Sequence, residues 1–166
     1  CVVTASRAEY SRVKTVLEEV AARQDLELQL VVVGAHLEPA FGMTVGRIRE
    51  DGFVPSVEMK LEWSQSTPQG MAHQTGEIVT HLASHVFSDL KPDVVVALTD
   101  RYETLATAVA AGLMNLLVAH IQGGEVTGTI DESIRHAVTK LSHLHFVATE
   151  DARQRVLQMG ETDDRV

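Results

Sequence analysis

The chain has 166 residues, of which 45% are hydrophobic, and it carries a formal net charge of −9. This length and hydrophobic content are typical of one globular domain with its own core, and they exclude a disordered chain. The negative charge argues against a nucleic-acid or anionic-membrane partner, because both are bound through clustered lysine and arginine. It does not exclude a phosphorylated small molecule, which needs only a few well-placed donors.

The chain contains one cysteine, Cys1. One cysteine forms no intrachain disulfide and builds no zinc site alone. No signal peptide is recognisable, and no window approaches the ~18 apolar residues that span a bilayer. These features predict a cytoplasmic protein. Because the sequence starts inside a strand-like run and stops where another strand would begin, we expect it to be part of a longer protein.

Strands and helices alternate along the whole chain in the predicted secondary structure. The predicted strands are 1–5, 26–33, 57–61, 94–98, 116–121 and 145–148. The predicted helices are one beginning at residues 6–9, then 44–50, 71–90, 101–113, 131–142 and 150–159, with a polar loop over 63–70. The strands are apolar throughout rather than alternating, which is typical of a parallel sheet covered on both faces. Residues 1–166 are therefore predicted to form a single Rossmann-like domain, an α/β doubly wound parallel sheet.

Ligands of such sheets bind beyond the carboxyl ends of the strands. The first of these turns lacks G-x-G-x-x-G, so a dinucleotide fingerprint is absent. It does bring Arg7 and Ser11 to a helix N-terminus, where backbone amides favour an anion. The alternative is a surface arginine beside a capping serine.

The turns after the next two apolar strands carry acids and glycines. Asp100 and Arg101 follow one strand, and the segment HIQGGE from His120 to Glu125 ends the other. Gly123 and Gly124 let the backbone approach a ligand closely, or simply form a tight turn. Asp100 is either a site residue or a helix N-cap, and the same two alternatives apply to Asp131.

Histidines outside these turns give weaker signals. His36 ends the second strand, where a structural or solvated role is more common. His81 and His85 are spaced i, i+4 and could share a metal, but no third ligand accompanies them as in H-E-x-x-H. A solvated helix face is the favoured interpretation, and we predict no metal site.

The segments TASRAEYS, DRYETLA and HIQGGEVTGTIDESIRHAVTKLSH closely resemble the hydrolysing UDP-N-acetylglucosamine 2-epimerases of sialic acid biosynthesis, and the resemblance covers essentially the whole chain. It implies the N-terminal half of a two-domain GT-B fold. It also implies anti elimination of UDP followed by water addition, without a metal or nicotinamide cofactor. The implied partners are a UDP-sugar and further copies of the chain, as a dimer or tetramer.

The resemblance assigns roles position by position. Asp100 matches the first catalytic acid and Asp131 the third, while Arg7, Ser11 and Arg101 match positions that approach the diphosphate. His120 is counted with the substrate-binding residues. The second acid falls on Gln122, which cannot act as a base, and Glu125 is the alternative carrier of that role.

Two other functions remain open at this point. One is a non-catalytic sugar-nucleotide binding or assembly domain, in which Gln122 marks lost chemistry. The other is a GT-B glycosyltransferase domain. In every case we expect the 166 residues alone to show little activity, because half of the interdomain cleft would be missing.

Overall fold

The computed structural model describes residues 1–62 and 67–166. Its centre is a six-stranded sheet in the order β3-β2-β1-β4-β5-β6, with every neighbouring pair parallel. The strands are β1 Val2–Thr4, β2 Leu30–Val33, β3 Val57–Met59, β4 Val94–Leu98, β5 Leu117–Ile121 and β6 Leu144–Phe146. The order reverses direction between β1 and β4, and the prediction of a doubly wound parallel sheet is confirmed.

Helices connect the strands. They are α1 Arg7–Ala22, α2 Val45–Glu50, α3 Pro68–His81, α4 Phe87–Leu90, α5 Tyr102–Leu113, α6 Ile130–Leu141 and α7 Glu150–Gln158. A π-helical turn, Leu82–Val86, joins α3 to α4, and short 3₁₀ helices occupy Gly34–Leu37, Pro39–Phe41 and Asp163–Arg165. Within the described ranges, no helix combines the length and apolar character needed to cross a membrane.

Both faces of the sheet are buried, which explains the uninterrupted apolar strands. In β2, Leu30 and Val32 pack in a cluster with α1, while Val31 and Val33 pack in a second cluster on the opposite face. Each of these four side chains is at most 1% exposed. Successive residues of a strand point to opposite faces, so a strand covered on both sides carries no polar positions.

Two of the predicted boundaries were wrong in ways that the structure explains. The strand predicted over 26–33 begins at Leu30, because β1 offers its first pairing partner only there. The helix predicted from residue 71 begins at Pro68, which occupies the first turn after the N-cap Thr67. Proline suits that position because its missing N–H would have no helical partner. The rest of the predicted 63–70 loop, residues 63–66, lies outside the described residues.

Candidate active site

The loops after β1, β4 and β5 meet at the carboxyl edge of the sheet, beside the switch point. Thr104, in α5, lies 3.3 Å from the carboxylate of Glu9 in α1. Arg12 of α1 donates a hydrogen bond to Gln122 at the end of β5. The three segments that the sequence singled out are therefore joined by side-chain contacts at one edge.

Asp100 is held by an arginine that was not predicted as a site residue. Arg135 of α6 is 3% exposed and donates a close hydrogen bond to the Asp100 carboxylate. It also donates to the carbonyl of Glu125 at 2.8 Å. The helix after β4 is capped at Arg101, so the N-cap alternative for Asp100 was wrong. A signal for Arg135 was present in its spacing, one helical turn after Asp131.

Asp131 and Glu125 are the acids without partners in this arrangement. The N-cap of α6 is Thr129, whose hydroxyl accepts from the Asp131 amide at 3.3 Å. The N-cap alternative for Asp131 was therefore wrong. Within residues 1–62 and 67–166, neither carboxylate has a hydrogen-bond or ion-pair partner, and both side chains are half-buried. Two carboxylates thus remain available to a ligand near the Asp100–Arg135 pair.

Gln122 has a defined orientation. Its Oε1 accepts from the Arg12 guanidinium at 2.9 Å, and because arginine has no acceptor, the carbonyl end of the amide must face Arg12. The amide nitrogen of Gln122 is therefore the end left for other contacts. Its backbone is left-handed, with φ of +65°. Gln122 can donate a hydrogen bond in this geometry, but it supplies no base.

Arg7 and Arg101 line a cavity of about 500 Å³, with Gly34, Phe41 and Tyr102 among its walls. The candidate acids Asp100, Glu125 and Asp131 are not among its lining residues. Arg101 donates two hydrogen bonds to Glu103, at 3.0 and 2.8 Å. Arg7 is exposed and, within the described part of the chain, has no partner. An exposed, unpaired guanidinium beside a fixed one is suited to binding an anion.

Ser11 and His120 lie differently from the other predicted ligand contacts. The hydroxyl of Ser11 donates to the Ala8 carbonyl at 2.9 Å on the exposed side of α1, and Ser11 is not among the cavity walls. His120 is fully buried, with Nε2 2.8 Å from the Thr99 carbonyl and Nδ1 3.2 Å from the Thr139 hydroxyl. In this structure the ring of His120 is out of reach of a ligand.

The Gly123–Gly124 pair serves packing. A Cβ on Gly124 would lie 2.3 Å from the Ala152 carbonyl oxygen in α7. A Cβ on Gly123 would lie 3.0 Å from both the His120 ring and the Thr139 hydroxyl. The glycines therefore allow the loop to pass between α6 and α7, whatever ligand the loop also contacts.

The structure also places the three other histidines that the sequence analysis weighed, His36, His81 and His85. His36 is fully buried between the hydroxyls of Thr4 and Thr44, at 3.1 and 2.7 Å. The rings of His81 and His85 are 5.7 Å apart. Across the described ranges, no group of three His, Cys, Asp or Glu side chains is arranged to hold a metal ion.

Glu9 is a buried acid that sequence reasoning missed. It is 3% exposed, and its carboxylate accepts from the Ala5 and Ser6 amides at 2.7 and 3.0 Å. Burial, and then the charge of Glu103, raise the pKa of Glu9 to about 7. The available signal was the capping-box spacing, Ser6 with Glu9 three residues later.

We expect Glu9 to make folding stability depend on pH. Because its pKa is raised from 4.5 to about 7, the folded protein binds the proton more tightly than the unfolded chain does. This contribution, about 3 kcal/mol from a shift of that size, is complete below pH 4.5 and is lost as the pH rises to about 7. Urea unfolding at several pH values should show this slope, and Glu9→Gln should flatten it.

Glu132 serves as a control, because its pKa is shifted in the opposite direction. Backbone amides of Gly128 and Thr127 lower the pKa of Glu132, so its contribution is lost only as the pH falls through that lowered value. Glu132→Gln should therefore leave the slope between pH 4.5 and 7 unchanged. An unchanged slope in Glu9→Gln would contradict the assignment of the buried proton to Glu9.

The fold and this edge define a Rossmann-like domain of the GT-B fold family, with a cavity at the carboxyl edge of the sheet that two arginines line. Residues 18–166 match the family model described as UDP-N-acetylglucosamine 2-epimerase, and the chain belongs to that family. It is 40% identical over 164 residues to a UDP-N,N'-diacetylbacillosamine 2-epimerase (hydrolyzing) from Legionella pneumophila. It is 37% identical over 159 residues to a UDP-N-acetylglucosamine 2-epimerase from Neisseria meningitidis.

These alignments cover 99% and 96% of this chain but 43% and 41% of the two relatives. The chain thus spans less than half the length of the curated relatives it matches. Among solved structures, the N. meningitidis epimerase bound to UDP-GlcNAc superposes with a TM-score of 0.86 at 24% identity, over 99% of this chain and 44% of that one. The Methanocaldococcus jannaschii epimerase in complex with UDP-GlcNAc and UDP gives 0.85 at 21%, over 99% and 44%. At these identities the likeness establishes the fold.

Proposed function

We propose that this chain is the N-terminal domain of a hydrolysing 2-epimerase that converts UDP-N-acetylglucosamine, or a related UDP-sugar, to UDP and the free 2-epimeric sugar. The observation that carries the proposal is the pairing of Asp100 with buried Arg135 beside two unpartnered acids, Asp131 and Glu125. Family membership supplies the substrate class. For UDP-N-acetylglucosamine the product is N-acetylmannosamine.

The chemistry requires carboxylates. The hydrogen at sugar C2 is not next to a carbonyl, so its removal depends on positive charge that develops as the C1–O bond breaks. UDP leaves from C1, a base takes the C2 proton, and a 2-acetamidoglucal remains. Water then adds hydroxyl to C1 and hydrogen to the opposite face of C2. Carboxylates stabilise the cationic ring and carry the protons.

The arginines are suited to the leaving group. Arg7, unpaired and exposed, and Arg101, held by Glu103, line the same cavity. In the proposed complex they donate to the diphosphate, whose charge increases as the C1–O bond breaks. Ser11 requires a rotamer change to join them, since its hydroxyl now donates to Ala8.

Because Gln122 cannot act as a base, that role in the proposed reaction falls to other residues. With its carbonyl turned to Arg12, it offers an N–H donor to the sugar and takes no proton. In the proposal, Asp100, Asp131 and Glu125 carry the proton transfers. A non-catalytic binding or assembly domain is the second candidate, favoured only by this missing acid.

The names of the relatives indicate two candidate substrates. Proteins 40% identical to this chain are named for UDP-N,N'-diacetylbacillosamine, and others for UDP-N-acetylglucosamine. The proposed enzyme therefore acts on a 2-acetamido UDP-sugar in nucleotide amino-sugar metabolism. Since the chain spans less than half of these relatives, we propose that a second domain completes the cleft.

The test is the full-length protein that carries this chain, incubated with each of the two UDP-sugars in deuterated water. We expect UDP release and a free 2-epimeric sugar with deuterium at C2. Absence of both products would refute the proposed function, and transfer of the sugar to an acceptor would indicate a glycosyltransferase. The 166 residues alone should give no turnover.

The variant Gln122→Glu separates the two candidates. If the unmodified protein turns over, its acids suffice without a carboxylate at this position. If it binds the UDP-sugar but is inert, and Gln122→Glu creates turnover, the binding-domain interpretation is correct.

A further inference from the structure

His120 links the turn at Thr99 to helix α6 from inside the protein. Its Nε2 lies 2.8 Å from the carbonyl oxygen of Thr99, and because a carbonyl only accepts, Nε2 must carry the proton. Burial lowers the pKa of His120 to about 4, so the ring is neutral at pH 7. Its tautomer is therefore defined by the Thr99 contact.

Thr99 needs such support. It is a buried, β-branched residue with φ of +62°, in the left-handed region. Side chains branched at Cβ rarely adopt this conformation, and it persists only where surrounding contacts enforce it. Its N–H donates to the Ile121 carbonyl at 3.0 Å, and its carbonyl accepts from His120. Asp100 is the next residue, so the Thr99 turn sets the direction of its side chain.

The opposite edge of the imidazole ring is linked to Arg135 through Thr139. Nδ1 of His120 lies 3.2 Å from the Thr139 hydroxyl, which in turn lies 3.0 Å from the Arg135 carbonyl one helical turn earlier. In the neutral ring Nδ1 is an acceptor, and the Thr139 hydroxyl, which has one proton, donates it either to Nδ1 or to the Arg135 carbonyl. The contacts form a closed ring, because the Arg135 side chain returns to Asp100.

We propose that His120 is a positioning residue that aligns Asp100 with Arg135 by holding the Thr99 carbonyl on one side and Thr139 on the other. The proposal rests on the proposed function for its kinetic consequence. His120 contacts no substrate and acts through the Thr99 turn and α6. Its loss displaces the carboxylate while the diphosphate contacts of Arg7 and Arg101 persist.

The test compares His120→Leu with His120→Gln in the full-length protein. Leucine removes the donor, whereas the glutamine amide can still donate to the Thr99 carbonyl. We expect kcat to fall about 10- to 100-fold in His120→Leu, the range for misplaced catalytic groups. KM should change less than about twofold, since the binding residues are untouched, and His120→Gln should recover most of kcat.

The matched control is His145→Leu. His145 is a buried histidine on β6, directly paired with His120 in the sheet register, and it contacts Glu161 instead of the site. If His120→Leu and His145→Leu lower kcat equally, or if His120→Gln restores nothing, a general packing role replaces the positioning role.

Crystal structures of the two His120 variants provide a readout independent of turnover. In His120→Leu we expect Thr99 to leave the left-handed region and Asp100 to separate from Arg135, and in His120→Gln we expect both features to remain. An unmoved Asp100–Arg135 pair in His120→Leu would overturn the inference. If the unmodified protein shows no turnover, the proposed function fails, and these structures still decide the role of His120.

Discussion

Replacing Arg135 with methionine is expected to lower both turnover and stability. Arg135 is 3% exposed, and its loss leaves the Asp100 carboxylate without a partner. Removing one member of a buried pair typically costs 3–5 kcal/mol, and we expect about 3 because the Asp100 side chain keeps 19% exposure. Turnover of the full-length protein should fall about 100-fold, since the acid loses its alignment.

Two comparison variants separate charge from geometry. Arg135→Lys keeps a positive charge but cannot reach both Asp100 and the Glu125 carbonyl, so its loss of kcat should be intermediate. Arg153→Met removes an arginine from an ion pair with exposed Asp163 and Glu150 on α7, where about 0–1 kcal/mol is typical. Urea unfolding and UDP-release assays provide both measurements. Equal stability losses in Arg135→Met and Arg153→Met would contradict a special role for the buried pair.

Gly124→Ala is expected to destabilise the fold severely. The added Cβ would lie 2.3 Å from the Ala152 carbonyl and 2.8 Å from a Val156 methyl, and the backbone φ is +79°. The carbonyl belongs to the backbone of α7 and cannot rotate away. Left-handed strain and overpacking together should lower the free energy of unfolding by at least about 3 kcal/mol. Thermal or urea unfolding measures the change.

Gly128→Ala is the matched control in the same loop. Its φ is +72°, but a Cβ there would meet nothing within 4 Å. It should cost only the conformational term, about 1 kcal/mol. If the two variants prove equally stable, the close approach of the loop to α7 does not constrain this position.

Fold class was readable from the sequence because it depends on local patterns. The run Val94 to Leu98 matches β4 at both ends, since an apolar strand buried on both faces needs no long-range information to be recognised. The same reasoning failed at 26–29, where an alternating pattern has no strand to pair with. Whether a segment pairs in a sheet depends on the extent of the neighbouring strand, which the local sequence does not contain.

The candidate site was readable only in part. The sequence singled out Asp100, Gln122 and Asp131 because parallel strands bring their carboxyl ends to one edge. It gave no sign that Arg12 would orient Gln122, from 110 positions away. It also placed His120 among ligand contacts, whereas both of its nitrogens are occupied inside the protein.

The sequence by itself determined the order of strands and helices, the parallel sheet and which edge would carry acids and arginines. The tertiary structure alone decided which of those groups are paired, which are buried and which are left for a ligand. The physical reason is the distance along the chain over which the two kinds of interaction act. Hydrophobic periodicity and turn chemistry act between neighbours in the chain. The Asp100–Arg135 pair and the raised pKa of Glu9 arise from burial and from charges that only folding brings together.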